Sequence, residues 1–262
     1  MVDMKGKFFA GSLLACTLLA GCGGGGSTTP TTSTTSTTPG PSAEGVYGGT
    51  MTGSTSTAFE TLVLENGDLW SVYGTQTSSI FSVAGFVQGS GTSNNGSFTS
   101  SNVKDFGFAP AVAGTLNATY DATAKTISGT FSAGTQTATF SGGPIAGSLY
   151  NYNTAAALTT VVGSWSTTSL TGEGVAINVA STGAFTAASS LGCNFTGTIT
   201  PRASGKNVFN VAMTFGAAPC ALPGQSATGI ALAYPLTSGR TQLLVSAVDG
   251  TRSYGASVFG TR

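Results

Sequence analysis

Apolar and polar residues alternate in short runs along most of the chain. In KTISGTFS (125–132), Ile127 and Phe131 fall on one face, and threonines and serines occupy the other. The same period of two occurs in CNFTGTIT (193–200) and NVFNVAMTF (207–215). A period of two with one apolar face predicts β-strands that are buried on one side.

Turn residues separate these runs. Asn66-Gly67 lies between FETLVLE and DLWSVYG and is a strong hairpin signal, and Ser181-Thr182-Gly183 divides two later runs in the same way. Each half of the chain offers about eight strand-sized runs, and their order and spacing match. The pattern therefore predicts two copies of one structural unit.

We predict an all-β protein with two consecutive small antiparallel up-and-down β-barrels of about eight strands each, after a disordered tether. Closed barrels are favoured because they leave no strand edge unpaired. One or two open sandwiches are the alternative, since periodicity does not separate them from barrels. The predicted boundaries are 45–150 for the first barrel-like domain, 151–161 for a linker and 162–262 for the second.

Composition argues against several classes of function. Charged residues make up 7% of the chain, nine basic against nine acidic, so no field attracts a nucleic acid. The chain has no histidine, the commonest general base and metal ligand. Glu60 and Glu65 are predicted on opposite strand faces, and Glu173 begins another strand. With no convergent pair and no nucleotide or metal motif, we expect no enzyme activity, no cofactor and no metal.

The N-terminus follows a different pattern. Lys5 and Lys7 precede an apolar run at 8–20, which is shorter than the ~20 residues of a membrane-spanning helix. A basic segment followed by a short apolar run is typical of a secretory signal peptide.

The apolar run ends in Leu19, Ala20, Gly21 and Cys22. This sequence resembles the lipobox of bacterial lipoproteins. The resemblance implies that residues 1–21 are a cleaved signal peptide. It also implies that the new N-terminal cysteine carries acyl chains such as palmitate, which insert into a membrane because each buried CH₂ contributes about 0.8 kcal/mol.

The segment at 22–44 then serves as a tether. It is rich in glycine, serine, threonine and proline, which bury too little apolar surface to offset the entropy of ordering. The residue after Cys22 is Gly23 rather than aspartate, and the lipoprotein resemblance then implies the outer membrane. Whether the body faces the periplasm or the cell exterior stays open.

Two cysteines and two aromatic residues of the body are candidate sites. Cys193 and Cys220 are expected to form a disulfide, because both lie in a domain predicted to be secreted. Trp70 and Tyr73 fall on opposite faces of DLWSVY, so one of these aromatics is not fully interior. We predict them as a candidate binding surface, with a plug at the end of the barrel as the alternative.

The start of each half supplies a further resemblance. Gly163-Ser164-Trp165 is similar to the Gly-x-Trp that opens lipocalin barrels, and residues 45–47 (Gly-Val-Tyr) depart from it by tyrosine for tryptophan. A tethered double barrel also resembles, in architecture, bacterial surface lipoproteins of the transferrin-binding and factor-H-binding kind. These resemblances concern architecture, from which function does not follow.

We therefore expect an outer-membrane-anchored lipoprotein with a non-catalytic binding or surface-interaction role. Its partners would be the membrane and an unidentified protein or small ligand. The alternatives are a small-molecule carrier of lipocalin type and a structural component of the cell envelope. Predicted interiors that mix Gly129 and Gly197 with Phe131, Phe195 and Phe209 favour filled cores over a cavity, which weighs against the carrier.

Overall fold

The computed structural model describes residues 40–77 and 80–262, which form an all-β structure of two closed antiparallel barrels in tandem. In these residues no helix is both long and apolar enough to cross a membrane. A single-turn 3₁₀ helix, Leu158–Thr160, lies in the segment that joins the barrels.

The strands of the first barrel are β1 (Gly45–Thr52), β2 (Ala58–Val63), β3 (Asp68–Thr77), β4 (Ile80–Ser90), β5 (Thr92–Asn94), β6 (Ser97–Asp105), β7 (Val112–Asp121), β8 (Thr126–Ala133) and β9 (Gln136–Gly143). Their order in the sheet is β4-β3-β2-β1-β9-β8-β7-β6, and the pairing of β4 with β6 closes the barrel. The short strand β5 forms an additional hairpin with β6.

In the second barrel each strand pairs with the next along the chain, and the pairing of the first with the last closes the sheet. Its strands are β10 (Gly163–Ser169), β11 (Gly174–Val179), β12 (Ala184–Ser189), β13 (Asn194–Pro201), β14 (Phe209–Phe215), β15 (Ser226–Pro235), β16 (Thr241–Asp249) and β17 (Gly255–Thr261).

The prediction of two up-and-down barrels is confirmed, and the sandwich alternative is wrong. The pattern was informative because strands such as β14 alternate strictly between buried and exposed residues. The predicted hairpin at Asn66-Gly67 joins β2 to β3, with Gly67 at φ 83°, a conformation that favours glycine.

A separate hydrophobic core, the inter-barrel core, lies between the two barrels. It lies between the outer faces of β2 to β4 and those of β15 and β16, so these strands are buried on both faces. Strand β15, for example, directs Ala231 and Ala233 into its own barrel and Leu232 and Tyr234 towards the first. The buried members of this inter-barrel core include Leu62, Trp70, Val72, Phe86, Phe106, Ile230, Leu232, Tyr234, Leu244 and Val248.

Polar contacts surround the inter-barrel core. Arg202 Nε lies 2.8 Å from Glu65 Oε1 in an ion pair between the barrels. On another loop, Arg252 donates to the backbone carbonyls of Gln88 and Asn102, each at 2.8 Å. Hydrogen bonds and apolar burial together join the barrels into one unit.

Candidate ligand cavity in the second barrel

An apolar cavity of about 290 Å³ lies inside the second barrel. This volume is near the lower end of the ~300–1,000 Å³ of small-molecule pockets. The wall is built from inward-facing aliphatic and aromatic side chains, principally Val175, Ile177, Phe185, Phe195, Ile199, Met213, Phe215 and Val245.

Small residues on one strand leave this space open. The inward positions of β15 are Ala227, Gly229, Ala231 and Ala233, so one side of the barrel contributes little side-chain volume. Two strands away, on β13, Gly197 makes room for an aromatic neighbour, because a Cβ there would come within 2.7 Å of the Phe185 ring.

One end of the second barrel is closed by a tryptophan. Trp165 is 2% exposed, and its indole Nε1 donates to the Val161 carbonyl at 2.7 Å. The guanidinium of Arg262 lies 3.9 Å from the Trp165 ring and also donates to the carbonyls of Val162 and Thr160. The stacked guanidinium of Arg262 and these hydrogen bonds hold the indole in place, and the indole closes this end of the barrel.

The other end carries the loops that join β10 to β11, β12 to β13, β14 to β15 and β16 to β17, and the cavity lining includes residues from the first three of these loops. We call the cavity lining at this end the rim. It is polar at Ser169, Thr171 and Glu173 and apolar at residues that include Leu191. Leu191 is 69% exposed, which is unusual for leucine, and it extends the apolar lining to the surface.

A disulfide between Cys193 and Cys220 holds this rim, as the sequence predicts. It ties the turn between β12 and β13 to the long loop between β14 and β15. Cys193 itself and the two neighbours of Cys220, Pro219 and Ala221, line the cavity. The disulfide therefore positions part of the entrance.

The interior of the first barrel encloses much less space. Its interior leaves a cavity of about 40 Å³ among aromatic and aliphatic side chains. Phe59 and Phe140 fill it edge to face, with ring centroids 5.3 Å apart, and Leu69 and Leu116 pack beside them. The expectation of filled interiors therefore describes the first barrel and is wrong for the second.

The structure separates the two aromatics of the predicted binding surface. Trp70 points out of the first barrel, but it is only 8% exposed because the second barrel covers it. It stacks on Phe86 at 6.3 Å, and Phe86 stacks on Phe106 at 4.7 Å. In this structure Trp70 belongs to the inter-barrel core.

Tyr73 points into the first barrel and makes a buried polar pair. Its hydroxyl donates to Asp105 Oδ1 at 2.5 Å, and the Gly107 amide donates to the same oxygen at 2.9 Å. Burial raises the pKa of both Tyr73 and Asp105. Tyr73 is thus on the opposite side of the sheet from Trp70, and the two do not form one surface.

A second polar pair crosses the inter-barrel core. The Tyr234 hydroxyl donates to Glu60 Oε2 at 2.7 Å. Burial raises the pKa of Glu60 to about 7, although the hydrogen bond from Tyr234 acts in the opposite direction. Glu60 is therefore a carboxyl group that takes up a proton near neutral pH.

The lipobox residues Leu19, Ala20, Gly21 and Cys22 lie outside the described residues. Within the described ranges no three histidine, cysteine, aspartate or glutamate side chains cluster as metal ligands.

Comparisons with known proteins add one weak similarity. No protein-family model and no curated protein matches the chain. Among solved structures, the chain is similar to a protein of unknown function from the DUF3598 family of Nostoc punctiforme. The identity is 11%, the match covers 83% of this chain and 94% of that one, and the TM-score is 0.23. A TM-score of 0.23 supports no structural argument, so the site is described from this chain's own residues alone.

Neither the cavity nor the position of Glu173 at its rim was predicted from the sequence. The available signal was the run SATGIALAY, in which every second residue from Ala227 to Ala233 is alanine or glycine. Strand periodicity shows which residues face inwards, but the free volume depends on how eight inward rows meet across the barrel.

Proposed function

We propose that this chain is a non-catalytic binding protein, anchored to the outer membrane by a lipid on Cys22, whose second barrel binds a small apolar ligand. The observation that carries the proposal is the apolar cavity of about 290 Å³, which loop residues line at the end of the barrel opposite Trp165. Removing an apolar molecule from water into such a cavity is favourable in proportion to the area buried.

The lining favours binding over catalysis. Glu173 is the only charged side chain among the described residues that line the cavity. The lining also contains Cys193, whose sulfur is in a disulfide and is therefore not a free thiol. General acid-base chemistry commonly needs two groups in complementary states, which this lining does not supply.

Titration with a neutral fluorescent probe, N-phenyl-1-naphthylamine, tests the ligand site. We expect saturable binding to the wild type, and strong loss of binding in Ala256→Phe, which places a ring in the cavity. Ala176→Phe is the matched control, because Ala176 is exposed on the outer face of β11. Equal probe binding by wild type and Ala256→Phe would contradict the proposed site.

The membrane anchor is supported by the lipobox resemblance and by the tether-like composition of residues 22–44. Expression of the full chain with labelled palmitate in a Gram-negative host tests it. The wild type should carry label and sediment with outer membranes, and Cys22→Ser should do neither. Cys16→Ser is the control, because Cys16 lies within the predicted signal peptide. Label retained by Cys22→Ser would contradict the anchor.

A further inference from the structure

The cavity carries a single charge, and that charge lies at its rim. Glu173 immediately precedes β11, and residues two apart on a strand face the same side. Glu173, Val175 and Ile177 therefore form one inward row that runs from the entrance into the apolar interior, and all three line the cavity. A ligand lying along this row would place its outer end beside the carboxylate.

Hydroxyl groups orient this carboxylate. Thr171 Oγ1 donates to Glu173 Oε1 at 3.3 Å and lies 2.8 Å from Ser169 Oγ. Ser169 Oγ also accepts the backbone N–H of Glu173 at 3.1 Å. Among the described residues Glu173 Oε2 receives no hydrogen bond, so one acceptor oxygen is left for a ligand.

The cations of the second barrel are held elsewhere. Arg202 pairs with Glu65, and Lys206 with Glu44, in contacts to the first barrel. Arg240 donates to the Thr261 carbonyl at 3.0 Å, near the end of the barrel away from the rim.

Two further arginines are also engaged. Arg262 stacks on Trp165 at the closed end. Arg252 lies in a loop at the rim end, but its guanidinium donates to Gln88 and Asn102 of the first barrel. No cation lines the cavity in the described part of the chain, and the carboxylate of Glu173 has no counter-ion there.

We propose, on the basis of the proposed function, that the cavity selects apolar molecules that end in an amine and rejects those that end in a carboxylate. An ammonium group at the rim would supply the missing counter-ion and donate to Glu173 Oε2. A carboxylate would be placed beside a like charge without a compensating cation. An alcohol, which can donate but is uncharged, falls between the two.

Displacement of bound N-phenyl-1-naphthylamine by decan-1-amine, decan-1-ol and decanoate at pH 7 tests this selectivity. We expect the amine to bind at least about tenfold more tightly than decanoate, with the alcohol between them. Glu173→Gln should reduce this preference to about twofold or less, and Glu173→Lys should reverse it. Asp121→Asn is the matched control, since it removes one carboxylate from an exposed turn of the first barrel and should retain the preference.

The outcomes separate the two proposals. If the fluorescent probe fails to bind the wild type, the proposed function fails. If the probe binds and decanoate competes as well as the amine, the cavity stands and its selectivity does not. An amine preference that persists in a folded Glu173→Gln or Glu173→Lys protein would also overturn the role of Glu173. Circular dichroism of each variant establishes that it is folded.

Discussion

In the first barrel β1 to β9 enclose a cavity of about 40 Å³, whereas in the second β10 to β17 enclose about 290 Å³. The two sheets have the same closed antiparallel topology. The difference arises from residue size: the first interior is filled by rings such as Phe59 and Phe140, and the second has alanine and glycine along β15. One architecture thus accommodates either a filled core or a cavity.

The barrels nevertheless begin with the same closing contact. In the first, the Tyr47 hydroxyl donates to the Ala43 carbonyl at 2.8 Å; in the second, Trp165 Nε1 donates to the Val161 carbonyl at 2.7 Å. Both acceptors lie four residues upstream, and all four residues are buried. This shared contact supports the interpretation of the halves as a tandem repeat, although their interiors differ.

Removal of either closing aromatic should have the largest effect on stability. Trp165→Ala and Tyr47→Ala should each lower the free energy of unfolding by about 3–5 kcal/mol, because each deletes a large buried ring. Since the barrels share a core through residues such as Leu232, urea unfolding followed by fluorescence and circular dichroism should show one shifted transition. Two transitions, one of them unshifted, would show that the barrels unfold separately.

The disulfide distinguishes the second barrel and should have the next largest effect. Cys193 and Cys220 are 27 residues apart in sequence. The loop-entropy model then gives about 3–4 kcal/mol of stabilisation, lost in the Cys193→Ser, Cys220→Ser double variant. Urea midpoints of this variant and of the reduced wild type should agree. If both equal the midpoint of the oxidised protein, the disulfide does not constrain the unfolded chain as the model assumes.

Strand positions could be predicted from the sequence because they depend on local rules, whereas barrel closure was favoured only because a closed sheet leaves no edge unpaired. Alternation in β13 and β14 and the turn at Asn66-Gly67 reflect the pleat and backbone conformation, which short segments encode. The position of Trp70 could not be predicted, because it depends on which outer faces of the two barrels meet. In β15 and β16 apolar residues occupy consecutive positions, as at Ala231 and Leu232, a pattern typical of strands buried on both faces, but it does not show what covers the outer face.

The inter-barrel carboxyl group should make stability depend on pH. The pKa of Glu60 rises from its usual 4.5 to about 7 on folding, so the folded protein binds more protons between these values. The stabilisation that protonated Glu60 contributes is therefore fully present below pH 4.5 and is lost as pH rises through 7. The free energy of unfolding falls over this range by at most about 3 kcal/mol. Glu60→Gln should flatten this part of the urea stability profile, and a slope unchanged from wild type would exclude Glu60 as its source.

The same substitution in both barrels tests the comparison most directly, with the smallest expected effect. Ile127 lines the small cavity of the first barrel and Ile177 the large cavity of the second. Ile127→Phe should cost about 1–3 kcal/mol, because a filled core must shift to admit the ring, whereas Ile177→Phe should cost under about 1 kcal/mol. The ring at Ile177 should also weaken binding of N-phenyl-1-naphthylamine. Equal losses of unfolding free energy would mean that the space around Ile177 does not relax to accept a side chain, and that the two interiors are closer in packing than their cavity volumes imply.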